Sequence, residues 1–172
     1  IVYLDSKDLD NAVEHFKLAI SCNSDFAEAH NNLGSTLQQK GLLEEALNSY
    51  KKSITLKSDF SQAHNNMGIL LQKLGNNEAA ISSYENAIAH EPLYASAHHN
   101  LSAIKTYAEH DAQISQMKSI LSTAGISLAN KAQLCFALAK ANEDLGNKDE
   151  LFEFLNEGNR LRNNELNFSI DN

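Results

Sequence analysis

Ala27-Glu28-Ala29-His30-Asn31-Asn32-Leu33-Gly34 returns as Ser61-Gln62-Ala63-His64-Asn65-Asn66-Met67-Gly68, and again as Ala95-Ser96-Ala97-His98-His99-Asn100-Leu101-Ser102. Each copy begins 34 residues after the one before. A fixed period of this length marks a solenoid, in which no unit buries its apolar face alone and each covers that of its neighbour. The third copy is the weakest, having lost the glycine. The period moves the search for function from an enclosed pocket to a long, shallow surface.

Outward from these copies, apolar residues keep helical spacing, as in Leu42, Leu43, Ala46, Leu47, Tyr50 and Ile54. No stretch alternates as a half-buried strand would, and Pro92 is the only proline. Gly41, Gly75 and Gly146 fall where one helix stops and the next begins. Asp25 with Glu28, and Asp59 with Gln62, have the spacing of capping boxes. The expected fold is all-α, a solenoid of antiparallel helix pairs, with helices near 27–40, 43–56, 61–74, 77–90 and 95–108 and about ten in all.

Small and large residues recur in a way that packing explains. Gly34 and Gly68 sit where the first helix of a pair must lie close to the second. Ala12, Ala46 and Ala80 are the small residues facing them, Phe16, Tyr50 and Tyr84 fill the wedge beyond, and Ala19, Ser53 and Ala87 admit the following unit. These residues resemble the tetratricopeptide repeat (TPR), with its Leu-Gly, turn glycine, alanine, aromatic, alanine and proline. The resemblance implies a right-handed superhelix. It divides the chain into the end of a truncated repeat at 1–26, repeats at 27–60 and 61–94, and a degenerate repeat at 95–128. An atypical helix pair and tail follow at 129–172. Departures gather late: Glu109 stands for the turn glycine, and Ile114 and Lys118 stand for the alanine and aromatic. A fifth unit near 132–165 keeps Leu138-Ala139 and Gly146 but has Leu151 in place of the alanine.

The formal net charge of −8 over 172 residues speaks against nucleic acid or an anionic membrane as partner, since both require basic faces. No apolar run approaches the roughly 20 residues needed to span a bilayer. Cys22 and Cys135 fall in the first and last units at apolar-face positions, which predicts two buried free thiols and is compatible with a reducing, cytoplasmic setting. The chain opens at Ile1 in what reads as mid-helix, as expected of a piece of something longer.

Asn32, Asn66 and Asn100 occupy one position in successive first helices. In the TPR fold these helices line the concave face, so the three would form a ladder with rungs about 10 Å apart. An extended peptide advances about 3.3 Å per residue, so a rung could meet every third peptide unit. An amide offers a donor and an acceptor together and can bond a peptide group without reading its side chain. The arrangement resembles the repeat domain of O-linked N-acetylglucosamine transferases, where such a ladder holds peptide backbones. The other role open to these asparagines is structural, bonding to the adjacent helix. Asn31, Asn65 and His99 form a neighbouring set; Ser35 and Ile69, with Ala103, form another; Gln38, Gln39, Gln72 and Lys73 extend the surface. This face is amide-rich and nearly uncharged. It lacks the lysine, arginine and asparagine clamp of the family's chaperone-tail binders, because Lys73 is nearly alone.

His30, His64 and His98 also recur, but a metal needs its ligands at about 2.0–2.1 Å from one centre, which residues a repeat apart cannot meet. Neighbouring His98 and His99 diverge by roughly 100° around a helix. Packing at the helix seam is their expected role, with no metal and no cofactor. Nothing in the sequence has the spacing of a phosphate-cradling loop or a nucleophile elbow. The carboxylate pairs Glu44-Glu45 and Asp149-Glu150 suit helix starts. The expected function is therefore a non-catalytic protein- or peptide-binding scaffold, not an enzyme. A second reading comes from the stretch between Phe136 and Arg162, which is similar to the segment joining repeats to the enzyme domain in bacterial TPR–sulfotransferase fusions. It implies the acceptor-recognition region of a larger sulfotransferase whose catalytic domain lies outside this chain. Self-association through an exposed solenoid end is a third, because terminal repeats need a polar cap.

Overall fold

A computed structural model describes the backbone of residues 6–170 and the side chains of residues 7–165. The expectation about the chain's opening at Ile1 lies outside these described residues. Among them the fold is all-helical, with nine helices and no strand: α1 Ser6–Cys22, α2 Ala27–Gln39, α3 Leu43–Leu56, α4 Ser61–Lys73, α5 Asn77–His90, α6 Ala95–Ser102, α7 Ala112–Leu121, α8 Leu128–Asp144 and α9 Lys148–Ile170. The chain forms two compact units, the first ending at Glu91 and the second beginning at Pro92.

In the first unit α1 packs on α2, α2 on α3, α3 on α4 and α4 on α5, while α2 and α4 also touch. The small-to-large pattern decides how close each pair lies. A Cβ placed on Gly34 would stand 2.7 Å from Cε1 of Tyr50, and one on Gly68 would stand 2.5 Å from Cε1 of Tyr84. Only glycine leaves room for those rings, which are completely buried, as are Ala46 and Ala80 beside them. Ser53 adds a polar tie, donating from Oγ to the Ala27 carbonyl at 2.8 Å and so fixing the end of α3 against the start of α2.

The recurring histidines close the loops between repeats. Nε2 lies 3.2 Å from the Ser24 carbonyl oxygen in His30, 2.9 Å from that of Ser58 in His64, and 3.0 Å from that of Pro92 in His98. A carbonyl only accepts, so Nε2 carries the proton in each. The tie spans six residues every time and holds the incoming turn against the first helix. Among the described residues no group of three or more His, Cys, Asp or Glu side chains gathers as a metal site.

Several sequence expectations are corrected here. The capping boxes do not form, because the N-cap positions belong to Phe26 and Phe60 and put Asp25 and Asp59 one residue too early. The Phe26 carbonyl accepts from Ala29 and His30 instead, and the Asp25 amide is taken by the Asn23 side chain. Cys22 is exposed, unlike buried Cys135, since it ends α1 and no further turn covers it. The helix expected at 95–108 stops at Ser102, whose hydroxyl turns back to the His99 carbonyl at 2.7 Å. Residues 103–111 then run without a helix and drop Tyr107 into the second unit's core, where its backbone N–H donates to Asp144 at 3.1 Å. The left-handed turn conformation that Gly41 and Gly75 supply (φ 80° each) falls here on His110 (φ 66°), one residue after Glu109. A side chain in that region costs roughly 1–2 kcal/mol, a local price of losing the glycine.

In the second unit α6 and α7 both pack on α8, and α8 packs on α9. Its core joins Tyr107, Met117, Ile120, Leu134 and Leu138. Helix α8 begins at Leu128, earlier than the unit expected near 132, with Ser127 capping it through a bond from the Asn130 amide. Gly158 of α9 repeats the close-approach device, its missing Cβ lying 2.9 Å from Cε1 of Phe136.

Overpacking a filled site costs about 1–3 kcal/mol, against roughly 1 kcal/mol gained when a helical glycine becomes alanine. Gly68→Ala is therefore expected to lower stability in urea unfolding. Adding Tyr84→Leu should cost less in that background than in the wild type, since the two changes relieve one clash.

Candidate functional site

Helices α2 and α4 place two of the expected asparagines, Asn32 and Asn66, in the first unit. Asn32 is exposed and Asn66 half-buried, whereas Asn31 and Asn65 beside them are 1% and 4% exposed. Asn66 donates from Nδ2 to Oδ1 of Asn31 at 3.0 Å, and Asn31 donates from Nδ2 to Oδ1 of Asn32 at 3.3 Å. This amide chain crosses from α4 to α2. Asn31 and Asn65 are too enclosed to meet a ligand as the sequence reading expected. Asn31 instead supports the two amides that flank it.

Gln38 and Gln72 are held in a matching way. The Tyr50 hydroxyl donates to Oε1 of Gln38 at 3.1 Å, and the Tyr84 hydroxyl donates to Oε1 of Gln72 at 2.9 Å. Ser35 also bonds the Tyr50 hydroxyl. Burial pushes both phenols up to about 12, so they remain donors at any ordinary pH. With its oxygen engaged, each glutamine has its NH2 group left as the unspent donor. Ile69 is 37% exposed among these amides, and Lys73 and Gln39 are exposed beyond them. The face can offer amide donors and acceptors around one apolar contact. Sequence reasoning found the amides and missed their tyrosine anchors, although Gln38–Tyr50 and Gln72–Tyr84 share one 12-residue spacing.

Asn100, His99 and Ala103 belong to the second unit. There a cleft of about 240 Å³ opens among α6, α8 and α9, with His99, Gln133, Phe136, Arg162 and Glu165 among its walls. The His99 and Phe136 rings stand 6.4 Å apart, tilted by 59°. Of the two arginines, Arg160 is paired through two 2.7 Å bonds to Glu157, while Arg162 is exposed and makes no ion pair among the described residues. Desolvation holds the His99 imidazole below its ordinary pKa against a backbone hydrogen bond at Gln133. The same cause lowers His98, whose Nδ1 accepts from Nε2 of Gln113 at 3.3 Å. Gln133, Phe136 and Arg162 carried no periodic signal and were not foreseen as site residues.

Models of the tetratricopeptide family match this chain, one described as a TPR repeat over residues 2–41 and 39–75, the other as a tetratricopeptide repeat over 61–92. Together they span residues 2–92, more than half of the 172, and the chain belongs to the tetratricopeptide repeat family. Among solved structures it is similar to MamA, at 22% identity over 96% of this chain and 99% of that one, with a TM-score of 0.68. A tetratricopeptide repeat protein from Parabacteroides merdae gives 22% identity and a TM-score of 0.68 over 90% of this chain and 60% of its own. YrrB, a TPR protein with an unusual peptide-binding site, gives 16% identity and a TM-score of 0.64 over 93% and 81%. At these identities the likeness is one of fold. No curated protein matches the chain in sequence. The family models end at residue 92, so the likeness of the C-terminal stretch to sulfotransferase fusions rests on sequence alone. No helix among the described residues is long and apolar enough to cross a membrane.

His98 and His99 take up protons less readily when folded than when unfolded. As pH falls below the ordinary imidazole value of about 6.5, the unfolded chain therefore holds more protons and stability declines. Their contribution is complete above that value and is lost between it and the lowered folded values. Thermal melts at pH 7.5 and pH 5 should show the lower midpoint at pH 5. In His99→Gln that difference should shrink, and an unchanged difference would exclude His99 as a source.

Proposed function

We propose that this chain is a non-catalytic protein- or peptide-binding scaffold whose ligand surface in the first unit is the amide face of α2 and α4. The observation that carries this reading is the anchoring of the amides. Tyr50 and Tyr84 hold Gln38 and Gln72 at equivalent places in consecutive repeats, and Asn31 links Asn66 to Asn32. Side chains already fixed lose little freedom when a ligand arrives, which favours a preformed surface. Amides bond peptide groups whatever side chains those groups carry, so the expected ligand is an extended segment bound with modest affinity and broad sequence tolerance. Ile69 gives the face one apolar contact to rank such segments. Asn100 and His99 belong to a separate surface in the second unit. The peptide-binding site of YrrB, which shares this fold, supports the reading.

The anchoring also separates binding from stability. Asn32 is exposed, so Asn32→Ala should weaken capture of an immobilised peptide library with little change in unfolding midpoint. Asn66→Ala should weaken capture and also cost about 1–3 kcal/mol of stability, because it strips the bond to the enclosed Asn31 oxygen. Full capture by Asn32→Ala, Asn66→Ala and Asn100→Ala, with stability lost, would return the asparagines to a purely structural role.

A further inference from the structure

The cleft in the second unit has a different chemistry from the amide face of α2 and α4. Its approximate volume of 240 Å³ falls below the roughly 300–1,000 Å³ of pockets that enclose small molecules, and suits one large side chain. Two of its walls are the His99 and Phe136 rings, set at 59° with centroids 6.4 Å apart, which form a corner. A planar ring entering that corner can meet one wall by offset stacking and the other edge to face, the two arrangements aromatic pairs prefer. Phe136 is held in place, since one edge of its ring lies against Gly158 so closely that even a Cβ there would be 2.9 Å away. Arg162 stands at the same cleft, exposed and with no ion pair among the described residues, and a guanidinium is attracted to an aromatic face. Glu165 adds oxygen acceptors at the cleft for a phenol O–H or an indole N–H, while the Gln133 oxygen accepts from the Ser96 hydroxyl at 3.0 Å.

We infer that this cleft receives a tyrosine or tryptophan side chain of a peptide partner, seated against Phe136 and His99 and covered by Arg162. An aliphatic side chain would fill the space but forgo the ring contacts, the cation–π contact and the polar tip's hydrogen bond. An acidic side chain would meet Arg162 but face Glu165. Burial keeps His99 uncharged near neutral pH, so its ring serves as a wall rather than a cation. The inference does not depend on the amide face, which lies in the other unit.

The chain has no tryptophan, so a tryptophan probe can be followed by its own fluorescence. Acetyl-Gly-Trp-Gly-amide and acetyl-Gly-Leu-Gly-amide are titrated in parallel into the isotope-labelled full chain while backbone amide resonances are recorded. The expected result is saturable shifts at Ala129, Gln133 and Phe136 and a blue-shifted emission with the tryptophan peptide, and much weaker shifts with the leucine peptide. Arg162→Ala should weaken the tryptophan peptide roughly threefold to tenfold, and Ala129→Phe, which fills the cleft, should abolish the local shifts. Equal binding of the two peptides, or unchanged affinity in Arg162→Ala, would overturn the inference. Arg162 is exposed, so its variant remains decisive even if Ala129→Phe proves hard to fold. Shifts confined to α2 and α4 would also overturn it, while leaving the amide face standing.

Discussion

The contact of Gly34 with Tyr50, repeated by Gly68 with Tyr84, governs the first unit. Two helices can pack this closely only where one side chain is missing and a flat ring slides into its place. The ring is thereby buried, and its hydroxyl reaches Gln38 or Gln72, four residues further along the glycine's own helix. One interaction thus sets the spacing of the helices, fills the core and orients a surface amide. The second unit uses the same device once, at Gly158 and Phe136, with no hydroxyl to pass on. There the ring is only half-buried and becomes part of a cleft wall instead.

Much of this was legible in the sequence because period and size are written directly into residue type. The boundaries of α3 and α5 follow from apolar spacing and turn glycines, and α2 and α4 end one residue earlier than expected. The misses have a common origin in local geometry that one-dimensional spacing does not carry. Asp25 and Glu28 have the separation of a capping box, yet the helix begins one residue later than the box requires, and no side chain caps it. Helix α6 is shorter than its periodic relatives, and Tyr107 enters the core from the non-helical stretch that follows it. That is a tertiary effect, and nothing within residues 95–108 announces it.

The candidate site was legible to a different degree. A ladder of asparagines is visible from the repeat alone, but which amides face outward is not. Asn31 and Asn32 are adjacent and chemically identical, and one is enclosed while the other is exposed. The cleft of the second unit was hidden for another reason. It joins residues far apart in the chain, and Arg162 and Glu165 come from a helix whose repeat pattern has decayed. Decay of the period removes the guide that made the first unit readable.

The tyrosine anchors carry a consequence for how such a surface can diversify. Gln38 and Gln72 owe their orientation to hydroxyls rooted in the core, so a change beneath the surface can retune what the surface selects without altering any residue that a ligand touches. Loss of a single buried oxygen, as in a tyrosine-to-phenylalanine exchange, would leave the helix spacing intact and set the amide free to rotate. Under the proposed binding function, recognition would therefore be heritable through the interior, and two relatives with identical exposed faces need not prefer the same partners.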